Sequence, residues 1–261
     1  MSLPPREHVV YGPVRSRRLG RSLGINLLPD GMKVCNMNCA YCQYGWTRGA
    51  ARYRGPGSGW PTVQAVETAV AARLTRAAET GEIIDRITVA GHGEPTLHPE
   101  FEAISERLCA IRDRIVPGLP LAILSNSTTA GWDDVWSGLA CYDDRYMKLD
   151  AGDPLTYACI NGAAIGLASV IEALERVAPI VIQAMFVSDT KHVVENCGPG
   201  AVAEWIAAVK ATRAREVHVY TLDRSPAMSS LRPVTRRRLR EIAEQVRAAG
   251  IPVRMYPCTR Q

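Results

Sequence analysis

Cys35-Asn36-Met37-Asn38-Cys39-Ala40-Tyr41-Cys42 places three thiols within eight residues at the spacing C-x3-C-x2-C. The chain has 8 cysteines in 261 residues, more than a reduced core needs and too few for a small disulfide scaffold. The other five, Cys109, Cys141, Cys159, Cys197 and Cys258, are scattered, so the cluster points to metal rather than to disulfides. Three thiolates on one loop can each bind one iron of a cubane and leave the fourth iron open to a small molecule. Closed clusters and structural zinc sites take four protein ligands. No fourth Cys or His lies nearby in sequence, although His92 or a distant cysteine could fold in. A non-catalytic iron-sulfur or zinc module that carries electrons or organises a partner is therefore the rival reading.

Outward from the cluster, short apolar runs alternate with helical patterns, the signature of repeated βα units closing into a barrel. The strand candidates are Leu23 to Leu28, Ile87 to Ala90, Leu121 to Leu124, Tyr146 to Leu149, Ile180 to Val187 and Val217 to Leu222. All are rich in Ile, Val or Leu, as strands buried on both faces must be. Between them, apolar residues three or four apart mark helices at Val63 to Leu74, Phe101 to Ile115, Val170 to Val177, Val202 to Val209 and Leu239 to Ala249, the last with Thr235 as N-cap. Trp132 to Leu139 is a weaker helix pattern, and Val253 to Tyr256 a short extra strand. The fold class is α/β, a partial (β/α)6 TIM-type barrel. No Gly-, Ser- or Pro-rich linker divides the chain. The expectation is one domain over residues 1–261: an N-terminal extension at 1–21, the (β/α)6 core at 22–233, and a final helix with C-terminal tail at 234–261. The long connection from Leu28 to Ile87 carries the cysteines and emerges at the C-terminal mouth of the barrel, where chemistry sits in such folds.

With 47% hydrophobic and 22% charged residues the chain can build a sizeable core, which excludes disorder. The formal charge of +5 permits an anionic partner without demanding nucleic acid. The longest mostly apolar stretch, Val177 to Val187, is interrupted by Pro179 and Gln183 and is too short to span a bilayer. Residues 1–20 lack the apolar segment of an export signal, so a cytoplasmic location is expected.

The cysteine spacing, with Tyr41 just before the third thiol, resembles the signature of the radical S-adenosylmethionine (SAM) superfamily, and a six-unit barrel agrees with it. The resemblance implies a radical SAM core with a 4Fe-4S cluster held by Cys35, Cys39 and Cys42. SAM would chelate the open iron through its amino and carboxylate groups and be cleaved reductively to methionine and a 5'-deoxyadenosyl radical that abstracts hydrogen from a substrate. It also implies an oxidoreductase-type enzyme fed by a reducing partner such as flavodoxin or ferredoxin. A variant chemistry with the same thiolates breaks a different carbon-sulfur bond and transfers a 3-amino-3-carboxypropyl group. Tyr11-Gly12-Pro13-Val14 and Ser16-Arg17-Arg18-Leu19-Gly20-Arg21-Ser22-Leu23-Gly24, together with Gly93-Glu94-Pro95-Thr96, resemble the group that includes wyosine tRNA-base synthases. A tRNA base, a nucleoside, a peptide and a natural-product intermediate are the substrate classes left open.

Carried residue by residue, Gly91-His92-Gly93-Glu94-Pro95 falls where the superfamily has a GGE-like element. Gly91 and Gly93 would let backbone approach the ligand, and Glu94 would accept from the SAM ammonium. Asn126, ending the third strand, is the expected ribose or carboxylate contact. Lys148 and Asp150 share a face by the two-residue period, with Asp150 nearer the catalytic end; Gln183 and Thr221 are weaker cofactor candidates. Lys148 is a candidate catalytic amine whose ordinary reading is an ion pair with Asp150. Cys159, Cys197 and Cys258 each follow a strand and should lie at the catalytic face, as hydrogen-atom donors or auxiliary-cluster ligands; the ordinary reading is three unrelated loop cysteines. The basic run Arg236 to Arg238 with Arg240 could touch RNA, but a solvated helix face is favoured.

Overall fold

The computed structural model describes residues 8–47, 49 and 59–259. Among these residues nine strands form the architecture: β1 (Val10–Ser16), β2 (Gly20–Ile25), β3 (Arg86–Val89), β4 (Leu121–Ser125), β5 (Asp144–Lys148), β6 (Val181–Asp189), β7 (Glu216–Thr221), β8 (Leu231–Pro233) and β9 (Val253–Tyr256). Seven α-helices intervene among the described residues: α1 (Val63–Thr80), α2 (Phe101–Ile115), α3 (Asp133–Leu139), α4 (Pro154–Asn161), α5 (Leu167–Val177), α6 (Pro199–Ala211) and α7 (Arg236–Ala248). The sheet order is β1-β2-β3-β4-β5-β6-β7-β9, with β8 paired antiparallel to the end of β6. From β2 to β7 every pairing is parallel, and β9 adds in parallel to β7. This is the partial (β/α)6 barrel that the apolar periodicity implies.

Strand positions agree with the sequence pattern to within a few residues, and the differences have local causes. The first parallel strand stops at Ile25 rather than Leu28 because the Asn26 side chain turns on itself, donating to Leu28 O (3.1 Å) and accepting from Leu28 N (3.4 Å). Part of the expected N-terminal extension is a strand: β1 pairs antiparallel with β2, with an irregularity between Tyr11 and Val14 where Gly12-Pro13 interrupts the ladder. Residues 1–7 of that extension and 260–261 of the tail lie outside the described residues. Thr235 caps α7 as expected, accepting from Arg238 N at 3.2 Å. α4 and β8 were not expected at all.

The β1–β2 turn closes the barrel floor. Leu19 packs on Ala122, Tyr146 and Val181, near the N-terminal ends of β4, β5 and β6. Arg18 reaches Gln183 Oε1 (3.0 Å) and stacks on Tyr220 at 4.2 Å. Arg17 crosses to the other edge of the sheet, donating to Pro257 O (2.5 Å) and pairing with Asp223 (3.2 Å). Trp205 is core, as its stripe predicts: it is buried, packs edge-on against Phe186 at 4.9 Å, and its indole N–H donates to Leu149 O at 2.8 Å. Among the described residues no helix is long and apolar enough to cross a membrane.

Candidate functional site

The cysteine loop follows β2 and is fastened on three sides. Against β3, Glu94 N donates to Val34 O at 2.9 Å. Against α4, Asn38 N and Ala40 N donate to the carbonyls of Asn161 (2.8 Å) and Ile160 (2.9 Å), acceptors that the last turn of a helix leaves without intrahelical partners. From the segment after β7, Met228 N donates to Ala40 O (2.9 Å) and Arg224 donates to Gln43 Oε1 (3.0 Å). Cys39 is buried, Cys35 and Cys42 are half-buried, and all three thiols are free.

Gly91 and Gly93 permit close approach of other parts of the chain. A Cβ on Gly93 would overlap the Val34 carbonyl oxygen and lie 2.9 Å from Leu28 Cδ1; one on Gly91 would overlap Asn26 Oδ1. These glycines therefore seat the cysteine loop on the end of β3. Glu94 is buried, and its carboxylate accepts from Thr96 N (3.2 Å), Thr96 Oγ1 (2.6 Å), Ser125 Oγ (2.9 Å) and Asn126 N (2.5 Å). Burial pushes its pKa up, and those donors only partly offset the rise. The Asn126 side chain faces the loop, donating to Asn36 Oδ1 at 2.8 Å with Cys35 Sγ at 3.6 Å. His92 is buried with Nε2 3.1 Å from Pro29 O, which gives it a structural place in the same junction.

On the other flank, Asp150 gathers four donors: Lys148 Nζ (3.2 Å), Met185 N (2.7 Å), Asn161 Nδ2 (2.7 Å) and the Tyr41 hydroxyl. Lys148 thus forms the ion pair that its strand position suggested, and its ammonium also donates to Tyr220 OH at 2.8 Å. Burial pulls the amine's pKa down, but Asp150 and Tyr220 outweigh it and hold Lys148 charged. Burial, with Asp150 and Cys39 beside it, keeps Tyr41 protonated and donating.

The donor set fits an iron-sulfur cluster. Burial, then Cys39 and Glu94, push the Cys35 thiol up to about 12; burial, then Asp150, raise Cys39. Buried thiols in that state become thiolates only against a strong local positive charge such as a metal centre supplies. Each sulfur also faces an N–H donor: Asn126 at Cys35, Asn161 Nδ2 3.5 Å from Cys39, and Lys33 Nζ 3.3 Å from Cys42. Among the described residues no three His, Cys, Asp or Glu side chains group closely enough for a single ion. A cubane instead presents a separate iron to each thiolate.

The remaining sequence candidates divide. Gln183 stands in register with Lys148 and with His218, accepts from Arg18, and keeps a buried amide nitrogen without a partner. Thr221 spends its hydroxyl on packing, donating to Phe186 O and accepting from Val234 N, both at 2.8 Å. Cys159 is exposed on α4, Cys197 precedes α6 with its carbonyl accepting from Arg238 Nε at 2.9 Å, and Cys258 sits in the tail beside Asp223. Two asparagines were missed. Asn161 joins Cys39, Tyr41 and Asp150. Asn196 donates to Asp150 O and Met185 O at 2.8 Å each, fixing the strand end behind the site. The helix that presents Asn161 carries legible punctuation: Asp153 caps it, Pro154 opens it and Gly162 closes it in the left-handed conformation.

Comparison with known proteins agrees with this geometry. A UPF0026 protein of Helicobacter pylori is 34% identical over 145 residues, covering 56% of this chain and 43% of that protein. The matches span between 20% and 54% of the length of the curated relatives. Among solved structures, a radical SAM methyltransferase from Sphaerobacter thermophilus superposes with a TM-score of 0.63 at 16% identity, covering 90% of this chain and 66% of that one. Archaeal TYW1 gives 0.55 at 12% identity, covering 87% and 72%. The closer resemblance to the wyosine-synthase group is thus narrowed: TYW1 is one of several structural neighbours, and the curated relatives include UPF0026 proteins. The Radical SAM superfamily model matches residues 31–182, from the cysteine loop into β6, and the chain belongs to the radical SAM superfamily.

Proposed function

We propose that this chain is a radical SAM enzyme acting at the mouth of the barrel. Membership implies a 4Fe-4S cluster and SAM; Cys35, Cys39 and Cys42 would hold the cluster. When bound, the reduced cluster would supply one electron to a carbon-sulfur bond of SAM, which would give methionine and a 5'-deoxyadenosyl group able to take hydrogen from a substrate. The observation that carries the reading is the junction itself: three free thiols, each with an N–H donor, on a loop fastened to the Gly91–Glu94 turn at the end of β3.

The chain's own residues divide the work. Glu94 and Asn126 flank Cys35, and the Glu94 carboxylate offers the acceptor that an amino group needs. Among the described residues Glu94 Oε2 accepts from the Asn126 backbone amide, and a carboxylate oxygen can accept a second bond. Tyr41, Lys148 and Asp150 form the opposite wall, with Gln183 beside Lys148 in register. The Arg17 bridge to Asp223 and Pro257 borders the side of the barrel by which a substrate would enter. The reading places the protein in the cytoplasm with a flavodoxin or ferredoxin as electron donor.

The test is anaerobic reconstitution with iron and sulfide, addition of SAM and a strong reductant, and identification of the nucleoside product by mass spectrometry beside a Cys39→Ala control. 5'-Deoxyadenosine formed only with intact Cys39 is the expected result. Methylthioadenosine would replace the reading with aminocarboxypropyl transfer, and neither product from iron-loaded protein would count against catalysis.

A further inference from the structure

The N–H groups at the three sulfurs come from separate parts of the chain: Lys33 from the cysteine loop, Asn126 from the end of β4, and Asn161 from the last turn of α4. None is free to swing away. The Lys33 ammonium also donates to Gly45 O at 2.5 Å, Asn126 Nδ2 to Asn36 Oδ1 at 2.8 Å, and Asn161 Nδ2 to Asp150 Oδ2 at 2.7 Å. A donor aimed at a ligating sulfur stabilises negative charge there, and charge on the sulfurs grows when a cluster is reduced. Such contacts therefore favour the reduced state. A full positive charge at hydrogen-bond distance does so more strongly than a neutral amide.

The two buried carboxylates nearby act in the opposite direction, but each is engaged. Asp150 is offset by the Lys148 ammonium, and Glu94 is held by the Ser125, Thr96 and Asn126 donors. Among the described residues the Lys33 ammonium is paired with no carboxylate: its partners are Cys42 Sγ and a carbonyl.

We propose that Lys33, Asn126 and Asn161 are positioning residues that set the reduction potential of the cluster held by Cys35, Cys39 and Cys42, with the Lys33 ammonium at Cys42 contributing most. The inference rests on the cluster reading above. The couple is a one-electron reduction by a low-potential donor, with no bond formed or broken.

The experiment is an EPR-monitored potentiometric titration with dithionite on the full chain, reconstituted anaerobically, for the wild type and for Lys33→Met, Lys33→Arg, Asn126→Ala and Asn161→Ala, with iron counted in each. Lys33→Met should disfavour the reduced state about tenfold, a negative shift of about 59 mV for one electron. Lys33→Arg should stay within about twofold of the wild type because it keeps the charge. The asparagine variants should shift in the same direction by less. A merely structural role would change iron content and leave the midpoint alone. Midpoints within twofold of the wild type in Lys33→Met at full iron overturn the proposal; if that variant holds no cluster, unchanged midpoints in the two asparagine variants overturn it equally. A wild type that shows no cluster signal overturns the functional reading and this inference together, whereas a normal cluster with an insensitive midpoint overturns the inference alone.

Discussion

Gly93→Ala tests whether the end of β3 is the seat of the cysteine loop. The added Cβ would overlap the Val34 carbonyl oxygen and lie 2.6 Å from its carbon, so the strand end and the loop must separate. Separation breaks the Glu94 N to Val34 O bond of 2.9 Å between two buried residues. A buried donor left without its acceptor costs about 1–3 kcal/mol, and forcing extra volume into a packed junction costs about 1–3 kcal/mol more. Urea unfolding of the variant should therefore show a loss of about 2–6 kcal/mol. Because Val34 adjoins Cys35, the same displacement moves a thiol, and iron per chain after reconstitution should fall by more than half. Gly131→Ala is the control, since its Cβ meets only Ala173 Cβ at 3.5 Å, an ordinary contact. Stability within about 1 kcal/mol of the wild type and full iron in Gly93→Ala would refute the seating argument.

Two further outcomes follow from other parts of the fold. His218 is buried between the rings of Tyr146 (5.6 Å) and Tyr256 (5.2 Å); its nitrogens have no hydrogen-bond partner, with Glu216 Oε2 3.8 Å away. Burial, then Arg18 and Arg254, hold its pKa down at about 4, against 6.5 in the unfolded chain. The unfolded state therefore binds the proton first, and stability falls by up to about 3 kcal/mol as pH drops from 6.5 towards 4. His218→Phe should flatten that decline in urea midpoints between pH 6.5 and 5, a window above the range in which Asp85 and Asp189, lowered to about 2, titrate; an unaltered decline would show that another group causes it. Gly200, in the first turn of α6, has open space where a Cβ would stand. Gly200→Ala should raise stability by about 0.5–1 kcal/mol in the same assay.

The barrel was legible because a parallel strand covered on both faces is a run of Ile, Val and Leu, and such runs recur here between helical stripes. What escaped was structure whose signal is not apolar periodicity. β1 carries Gly12-Pro13 in its middle, a pair that argues against a strand until the irregular pairing between Tyr11 and Val14 accommodates it. β8 is three residues long and exists because it pairs with the end of β6. α4 buries Tyr157, Ile160 and Asn161 in eight residues, too short a span for a stripe to stand out. Only its end signals, Asp153-Pro154 and Gly162, could have announced it.

The site divides along the same line. Residues whose chemistry is local, such as three thiols on one loop, can be read from spacing alone. The partners that give those thiols their environment are set by the path of the whole chain. Asn161 stands 122 residues from Cys39 and reaches it because α4 ends against the loop, its carbonyls taking the amides of Asn38 and Ala40. The rule that strand ends face the mouth of a barrel places a residue near the chemistry but leaves its direction open. Asn126 and Thr221 show the difference. Both end strands; Asn126 turns to the cysteine loop, whereas Thr221 turns to Phe186 and Val234. What a polar side chain at a strand end faces is decided by which neighbouring groups claim it. At Thr221 the amide of Val234, delivered by the segment that leads into α7, makes that claim.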